Sequence, residues 1–275
     1  MAVSYNLEFD SENNLVISED ALAKLNSELE KLEAVEILKW ATTNFEKVYQ
    51  ETAFGPSGNV ILDMLSGIGA KVPLIFIDTL FNFDETIELS NEIVSKYGIV
   101  LHTFYPSGAK TREEFIEKYG DNLWAEDSDV YDYLVKAEPG QRAYKELSPG
   151  LVITGRRRSQ KGEREALPVL QVIPANEEAG SKQVVKLNPL VSKEWTYQKV
   201  KSYLKAFNVP YNKLLDKGYK SIGDYHSTSP VGEDGDERSG RWQGSDKTEC
   251  GLHKDYFSMK KMYNERMKKA NDVTN

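Results

Sequence analysis

Short apolar runs alternate with helical patterns through the middle of this chain, and that alternation limits the possible folds more than any other feature. Strands are predicted at four apolar runs, residues 47–54, 72–77, 99–104 and 151–154. Helices are predicted between them, at residues 60–68, 85–96 and 111–119. Because strands that are apolar on both sides need helices on both faces, the order predicts an α/β fold with a mostly parallel central sheet flanked by helices.

The loops that follow the predicted strands are where a ligand site is expected. In sheets of this kind, ligands bind at the carboxyl ends of the strands. The loops in question span residues 54–59, 78–84, 105–110 and 155–163.

Two segments flank this region. Leu22, Leu25, Leu29 and Leu32 recur at helical spacing behind Ser18, and residues 35–45 predict a second helix, so residues 1–44 form a helical lead-in. The α/β nucleotide-binding domain, residues 45–231, continues through a predicted hairpin (169–173 with 184–187) and a helix (196–207).

Residues 232–275 are predicted to form a mobile C-terminal tail. From residue 218 to 251 the sequence is polar and glycine-rich, which predicts that it stays out of the core. Residues 254–269 place Met259, Met262, Tyr263 and Met267 at helical spacing among basic residues. This pattern favours a terminal helix docked on the body or on a partner subunit over a membrane or nucleic-acid role.

A single cysteine, Cys250, narrows the available chemistry. One thiol excludes an internal disulfide framework, a four-cysteine zinc site and a cysteine-ligated iron–sulfur cluster. The formal net charge of −8 argues against nonspecific nucleic-acid binding. No run approaches the roughly 20 apolar residues of a membrane span, and the N-terminus lacks a signal-peptide pattern, so a cytoplasmic protein without a membrane partner is predicted.

Three of the predicted loops carry groups suited to a ligand, two of them to an anion and one to a ribose or a base. Residues 53–59, Ala-Phe-Gly-Pro-Ser-Gly-Asn, join a strand to a helix, whose N–H groups and dipole can receive a phosphate; a ligand-free turn would use the same glycines. Asp78-Thr79 ends another strand and can contact a ribose or a base, or serve only as a turn. The third group, after residue 153, concentrates positive charges, four of them guanidinium groups suited to phosphate or sulfate, unless it is a solvated charge run: Arg156, Arg157, Arg158, Lys161 and Arg164.

The polar surroundings of Cys250 make it the candidate nucleophile. A lone cysteine is usually an inert buried residue, but burial is not expected between Glu249 and Gly251. An exposed thiol near Arg238, Arg241 and His253 can be ionised and nucleophilic. With only three histidines in the chain, the Cys-x-x-His spacing is poor support for a metal site.

Three motifs, in this order, resemble the phosphoadenylyl-sulfate (PAPS) reductase family, especially its fungal branch. They are Gly155-Arg156-Arg157 with Ser159-Gln160, the run GYKSIGDYHST over residues 218–228, and Glu249-Cys250-Gly251-Leu252-His253. The resemblance covers residues 45–253 and implies a fold similar to the adenine nucleotide α-hydrolases. It also implies a modified pyrophosphate loop at residues 51–58, where Thr52 and Ala53 stand in place of the serines of many relatives.

The resemblance assigns roles to individual residues. Cys250 is the implied nucleophile, Arg238, Arg241 and His253 are candidates for sulfonate contact or tail closure, and no metal ligand is implied. The implied nucleotide-contacting residues are Thr52, Phe54, Gly55, Ser57, Gly58, Asp78, Thr79, Gly155, Arg156, Arg157, Ser159, Gln160, Arg164, Trp195, Gly218 and Tyr219.

The implied activity is the thioredoxin-dependent reduction of PAPS to sulfite and adenosine 3′,5′-bisphosphate in assimilatory sulfate reduction, which serves cysteine and methionine biosynthesis. The resemblance implies a cysteine S-sulfonate intermediate, reduced thioredoxin as the electron donor, no bound cofactor, no iron–sulfur cluster and a homodimer. Two alternatives stay open: an adenylating enzyme of the ATP-pyrophosphatase type, and a non-catalytic adenine-nucleotide sensor. Neither alternative needs a thiol on a polar tail.

Overall fold

A six-stranded sheet lies at the centre of the molecule. The computed structural model describes residues 7–232, 235–243, 247 and 249–273, without the side chains of His253 and residues 270–273. Near the N-terminus, β1 (Glu8–Phe9) and β2 (Leu15–Val16) form a small separate hairpin that the sequence does not predict. The strands of the central sheet are β3 (Val48–Glu51), β4 (Leu74–Ile77), β5 (Leu101–Phe104), β6 (Leu151–Ile153), β7 (Leu170–Ile173) and β8 (Val184–Leu187).

The strand order, β5-β4-β3-β6-β8-β7, changes direction at β3. β3 pairs in parallel with β4 on one side and with β6 on the other, whereas β7 is antiparallel to β8. The predicted α/β fold with a mostly parallel sheet is therefore confirmed. In such sheets the crevice at the carboxyl ends of the strands, where the order reverses, is the usual ligand site, which singles out the loops after β3 and β6.

Helices cover both faces of the sheet. One layer contains α1 (Glu19–Leu29), α2 (Ala34–Asn44), α3 (Pro56–Gly67), α4 (Asp84–Tyr97) and α9 (Tyr197–Ala206). On the opposite face lies α8 (Glu138–Leu147). β4 shows why both layers are needed, because Leu74 and Phe76 pack in the α3–α4 layer while Ile75 and Ile77 pack with α8.

Between β5 and β6 the chain forms a helical segment that the sequence predicts only in part. Its pieces are α5 (Arg112–Tyr119), which is predicted, and α6 (Leu123–Glu126), α7 (Ser128–Asp132) and a widened π-helical turn (Tyr133–Ala137), which are not. This turn leads directly into α8. At the junction the N–H of Glu138 bonds the carbonyl of Tyr133, five residues back, immediately before Pro139, which has no N–H to donate. Hydrophobic periodicity does not predict this helix well, because it contains a proline and a glycine.

The C-terminal region packs against this helical segment. α10 (Tyr256–Val273) stacks Tyr263 on Tyr133 with ring centroids 4.5 Å apart, and it buries Met259. The expectation that residues 218–251 are too polar for burial is wrong at several positions, including Asp224, Thr228, Trp242 and Glu249. The two carboxylates are buried because Asp224 meets Lys136 and Thr79, and Glu249 meets Arg164 and Arg238. In the described part of the chain, no helix is both long and apolar enough to cross a membrane.

Candidate active site

The loop between β3 and α3 forms one wall of the cavity at the switch point. β3 ends at Glu51, earlier than predicted, because Thr52 turns the chain and Phe54 takes the left-handed conformation at φ +55°. The hydroxyl of Thr52 accepts the Phe54 N–H at 2.9 Å. Gly55 caps α3 without a side chain, and Ser57 and Gly58 in the first turn of the helix line the cavity. The N–H groups of a first helical turn have no partner within the helix and can bind an anion.

The arginine-rich loop after β6 forms the opposite wall and lies unusually close to the first. A Cβ atom on Gly155 would come within 3.0 Å of the Gly58 N atom, so only glycine fits there without a backbone shift. Beyond it, the side chains of Arg156 and Arg164 line the cavity. The two loops thus bring helix N–H groups and guanidinium groups into one space.

Arg157 has a different position from its neighbours. Its side chain is fully buried and does not line the cavity. It donates to the Ser57 hydroxyl at 2.8 Å, to the Ser159 hydroxyl and the Trp195 carbonyl, and to both carboxylate oxygens of Glu237 at 2.5 and 2.6 Å. Because these bonds occupy its guanidinium group, Arg157 connects the β3–α3 loop to the tail.

Arg157→Lys is expected to lower the free energy of unfolding by about 1–3 kcal/mol, because an ammonium cannot satisfy the buried acceptors that the fork reaches. Turnover should also fall, since the β3–α3 loop loses its support. Chemical denaturation followed by fluorescence, with steady-state kinetics, measures both. Arg158→Lys is the matched control: Arg158 pairs with Glu30 near the surface, and its replacement should change stability by less than about 1 kcal/mol. Equal stability of wild type and Arg157→Lys would contradict this role.

Two carboxylates of the tail dock on the arginine-rich loop. Glu237 binds Arg157 as described and also accepts from Gln160 at 3.1 Å. Glu249 accepts two bonds of 2.7 Å from Arg164 and two of 3.2 Å from Arg238. The tail therefore lies over the cavity and contributes Arg238, Arg241, Trp242 and Cys250 to its lining.

Buried cations in the cavity exceed the carboxylates that pair with them. Among the described residues, no carboxylate forms an ion pair with Arg156 or with Arg241. Arg156 donates to Thr154 and Gln171, both neutral, and the Nε of Arg241 is buried without a hydrogen-bond partner in the described part of the chain. Burial lowers the pKa of both guanidinium groups, the sign of cations held away from water. Such an arrangement favours an anionic ligand.

A buried ion-pair network lies at the floor of the cavity. Lys136, on the π-helical turn, bonds Asp224 at 2.5 Å and Asp132 at 3.2 Å, and Asp224 also accepts from Thr79 at 2.7 Å. Burial alone would raise the pKa of Asp224, but Lys136 and the hydrogen bond from Thr79 outweigh it and lower that pKa to about 2. Both partners are therefore charged at neutral pH.

Cys250 is half-buried in the cavity lining rather than exposed. Burial raises the pKa of its thiol, and the nearby Lys136 and Arg241 counter this only in part. Burial therefore disfavours the thiolate of Cys250 in this arrangement of the tail, where the sequence predicts an exposed thiol.

The predicted site residues separate into two groups. Those that line the cavity are Thr52, Gly55, Ser57, Gly58, Thr79, Gly155, Arg156, Gln160, Arg164, Arg238, Arg241 and Cys250. Those that lie outside its lining are Phe54, Asp78, Arg157, Ser159, Trp195, Gly218 and Tyr219. The side chain of His253 lies outside the described residues.

Residues outside the lining have structural contacts in this conformation. Phe54 packs on Phe76, and the Asp78 carboxylate accepts from Leu80 N–H and Asn82, which is the turn role. The Trp195 ring is in the core while its carbonyl receives Arg157 and Ser159. Gly218 accepts the Val231 N–H at its carbonyl, and Tyr219 packs on Phe83.

Sequence reasoning missed Lys136, Asp132 and Asp224 as members of the site. Lys136 and Asp132 could have been recognised from the sequence. They lie four residues apart in an otherwise apolar run, residues 131–137, and this spacing predicts a buried ion pair along a helix. Asp224 lies in the motif at residues 218–228, but its partners, Thr79 and Lys136, come from distant segments.

Comparison with known proteins agrees with this geometry. The family model described as the phosphoadenosine phosphosulfate reductase domain matches residues 47–230. A phosphoadenosine phosphosulfate reductase of Emericella nidulans is 48% identical over 244 residues, which cover 87% of this chain and 77% of that protein. The crystal structure of a PAPS reductase from Candida auris, a phosphate complex, superposes with a TM-score of 0.69 at 46% identity over 78% of this chain and 100% of the other.

A more distant structure shares the fold alone. The FMN adenylyltransferase of Candida glabrata is 17% identical, with a TM-score of 0.53 over 93% of this chain and 86% of its own. The family model and the close relatives span most of the chain, including both walls of the cavity. The chain belongs to the phosphoadenosine phosphosulfate reductase family.

Proposed function

We propose that this protein reduces PAPS to sulfite and adenosine 3′,5′-bisphosphate in sulfate assimilation, with Cys250 as the group that accepts the sulfonate. The observation that carries the proposal is the meeting of the only thiol with Arg156, Arg164 and Arg241 in one cavity. An adenylating enzyme or a nucleotide sensor would need the phosphate-binding loop but not this thiol.

The nucleotide's charged groups fit the two walls of the cavity. The N–H groups at the start of α3 suit a phosphate, and the guanidinium groups of Arg156 and Arg241 suit the sulfonate and the bridging phosphate. Their positive charge also reduces the repulsion between the negatively charged thiolate and sulfonate.

The first chemical step transfers the sulfonate. The Cys250 thiolate attacks the sulfonate sulfur, a sulfur–sulfur bond forms, and the bond from that sulfur to the phosphate oxygen breaks. The electron pair leaves with the phosphate as adenosine 3′,5′-bisphosphate, so no protein acid has to protonate the leaving group.

The second step needs an external dithiol, because the chain has no other cysteine. A thiolate of reduced thioredoxin attacks the Cys250 sulfur and expels sulfite with the electron pair. The second thiol of thioredoxin then closes its own disulfide and returns Cys250 to the thiol. Sulfur is reduced from sulfate to sulfite, and thioredoxin is oxidised.

Movement of the tail is supported by the size of the cavity. Its volume is about 200 Å³, below the roughly 300–1,000 Å³ of pockets that hold ligands of this size. We therefore propose that the tail opens to admit PAPS, closes for the transfer and opens again for thioredoxin. The proposal also places the enzyme in the cytoplasm as a homodimer, without an iron–sulfur cluster and with a preference for PAPS over adenylyl sulfate.

A direct test is to mix the protein with PAPS in the absence of any thiol reductant. One sulfonate per chain should appear on the peptide that contains Cys250, and reduced thioredoxin should release it as sulfite. The same mixture with adenylyl sulfate is the control and should react far more slowly. Turnover without any sulfonated peptide would refute the mechanism, and an iron-dependent visible absorbance or equal turnover of both nucleotides would refute the cofactor and substrate assignments.

A further inference from the structure

Glu249 connects the cysteine to the body of the protein. The residue directly precedes Cys250, and its side chain is 5% exposed. Its carboxylate oxygens Oε2 and Oε1 accept from Nε and Nη2 of Arg164, each at 2.7 Å. The same two oxygens accept from Arg238 at 3.2 Å, and Oε1 also accepts the backbone N–H of Cys250 at 2.9 Å.

These contacts set the orientation of the segment around Cys250. Arg164 belongs to the loop after β6, whereas Glu249 lies 85 residues later in the tail. Two parallel N–H···O bonds to one guanidinium hold the carboxylate in one plane. Because that carboxylate also binds the Cys250 N–H, the backbone at the thiol is set by the same contact that docks the tail.

We propose that Glu249 is a positioning residue that sets the Cys250 thiol against the anion-binding arginines. This inference rests on the proposed function. Glu249 acts through Cys250 and Arg164 and does not itself touch the substrate. Arg156 and Arg241, which Glu249 does not bind, remain available for the anion.

An alternative role for Glu249 predicts different changes in nucleotide affinity and in the rate of sulfonate transfer. If its carboxylate merely occupied the place of a substrate anion, its neutralisation would free Arg164 and tighten nucleotide binding. If it positions the thiol, its neutralisation slows sulfonate transfer and leaves nucleotide binding nearly unchanged. The two roles therefore differ in how the rate and the affinity respond.

The first experiment compares wild type, Glu249→Gln and Glu165→Gln in a single turnover with PAPS. Glu165 is exposed in the same loop as Arg164, so its replacement makes the same chemical change without touching the tail. Glu249→Gln should slow Cys250 sulfonation by about 10–100-fold, because a small misplacement of a reacting group has that effect. The Kd for adenosine 3′,5′-bisphosphate should stay near the wild-type value, and Glu165→Gln should match wild type in both measurements.

The second experiment does not depend on PAPS. Because Cys250 is the only cysteine, alkylation by iodoacetamide reports on this thiol alone. Loosening of the segment around Cys250 in Glu249→Gln should expose the thiol and speed its alkylation, again without an effect of Glu165→Gln. Glu249→Asp keeps the charge but is shorter by one methylene, and it should fall between wild type and Glu249→Gln; it also replaces Glu249→Gln if that variant does not fold.

The outcomes separate the two proposals. Failure of wild type to form any S-sulfonate would refute the proposed function, while the alkylation rates would still test the contact made by Glu249. Wild-type alkylation and sulfonation rates in Glu249→Gln would overturn the positioning role. Tighter nucleotide binding with unimpaired transfer would overturn it in favour of the competing-anion role.

Discussion

Cys250→Ser is expected to abolish sulfite release while binding of adenosine 3′,5′-bisphosphate stays close to that of wild type. A serine hydroxyl is not ionised near neutral pH, and a sulfonate on oxygen cannot be released as sulfite by a dithiol. The nucleotide contacts proposed above come from the β3–α3 loop and from Arg156 and Arg241, not from the sulfur. Replacing this one sulfur atom should therefore abolish catalysis without weakening nucleotide binding.

The measurement combines a sulfite assay with calorimetric titration of the nucleotide. Wild type with PAPS and thioredoxin gives the reference rate, and Cys250→Ser should also show no sulfonate adduct by mass spectrometry. Sulfite production by the serine variant would show that another group accepts the sulfonate. Loss of nucleotide binding would instead show that the thiol helps to build the pocket.

Lys136→Met is expected to lower the free energy of unfolding by about 3–5 kcal/mol, the usual effect of removing one partner from a buried ion pair. Lys136 is almost fully buried between Asp132 and Asp224, with its Nζ 3.2 and 2.5 Å from their oxygens. Lys247 still pairs with Asp132 in the variant, but Asp224 loses its ion pair with Lys136 and keeps hydrogen bonds from neutral side chains such as Thr79. Asp224 would then be a buried carboxylate without a cation.

The pH dependence of stability gives an independent check. The folded-state pKa of Asp224, about 2, lies below the ordinary value of 3.8. Its contribution is therefore present above pH 4 and is lost as the pH falls from about 4 to about 2. Without Lys136 this pKa should rise toward or above its ordinary value, so the loss of stability that Asp224 causes between about pH 4 and pH 2 should shrink or disappear.

Denaturant unfolding at several pH values tests both statements. Lys31→Met is the control, because Lys31 forms an exposed ion pair with Glu28, and its replacement should change stability by less than about 0.5 kcal/mol. A loss below about 1 kcal/mol for Lys136→Met would contradict the role of the network. An unchanged acid limb would contradict the pKa assignment.

The amino-acid sequence by itself predicted a mostly parallel sheet flanked by helices, and the loops after β3, β4 and β6 that line the cavity. Apolar runs such as residues 72–77 identify buried strands because a strand covered on both faces has no polar side. From a parallel sheet it follows that the loops after β3 and β6 meet at one edge. The motifs around Gly155 and Cys250 were recognisable because they are continuous in the chain.

Only the tertiary structure decided how the charges pair and which arginine faces the cavity. Arg156 and Arg157 are adjacent and chemically identical, yet Arg156 lines the cavity while Arg157 is enclosed by Ser57, Trp195 and Glu237. Likewise, the polar segment around Glu249 becomes buried because Arg164, 85 residues away, satisfies its carboxylate. Whether a polar group can be buried depends on partners from distant segments, and local sequence carries no record of those partners.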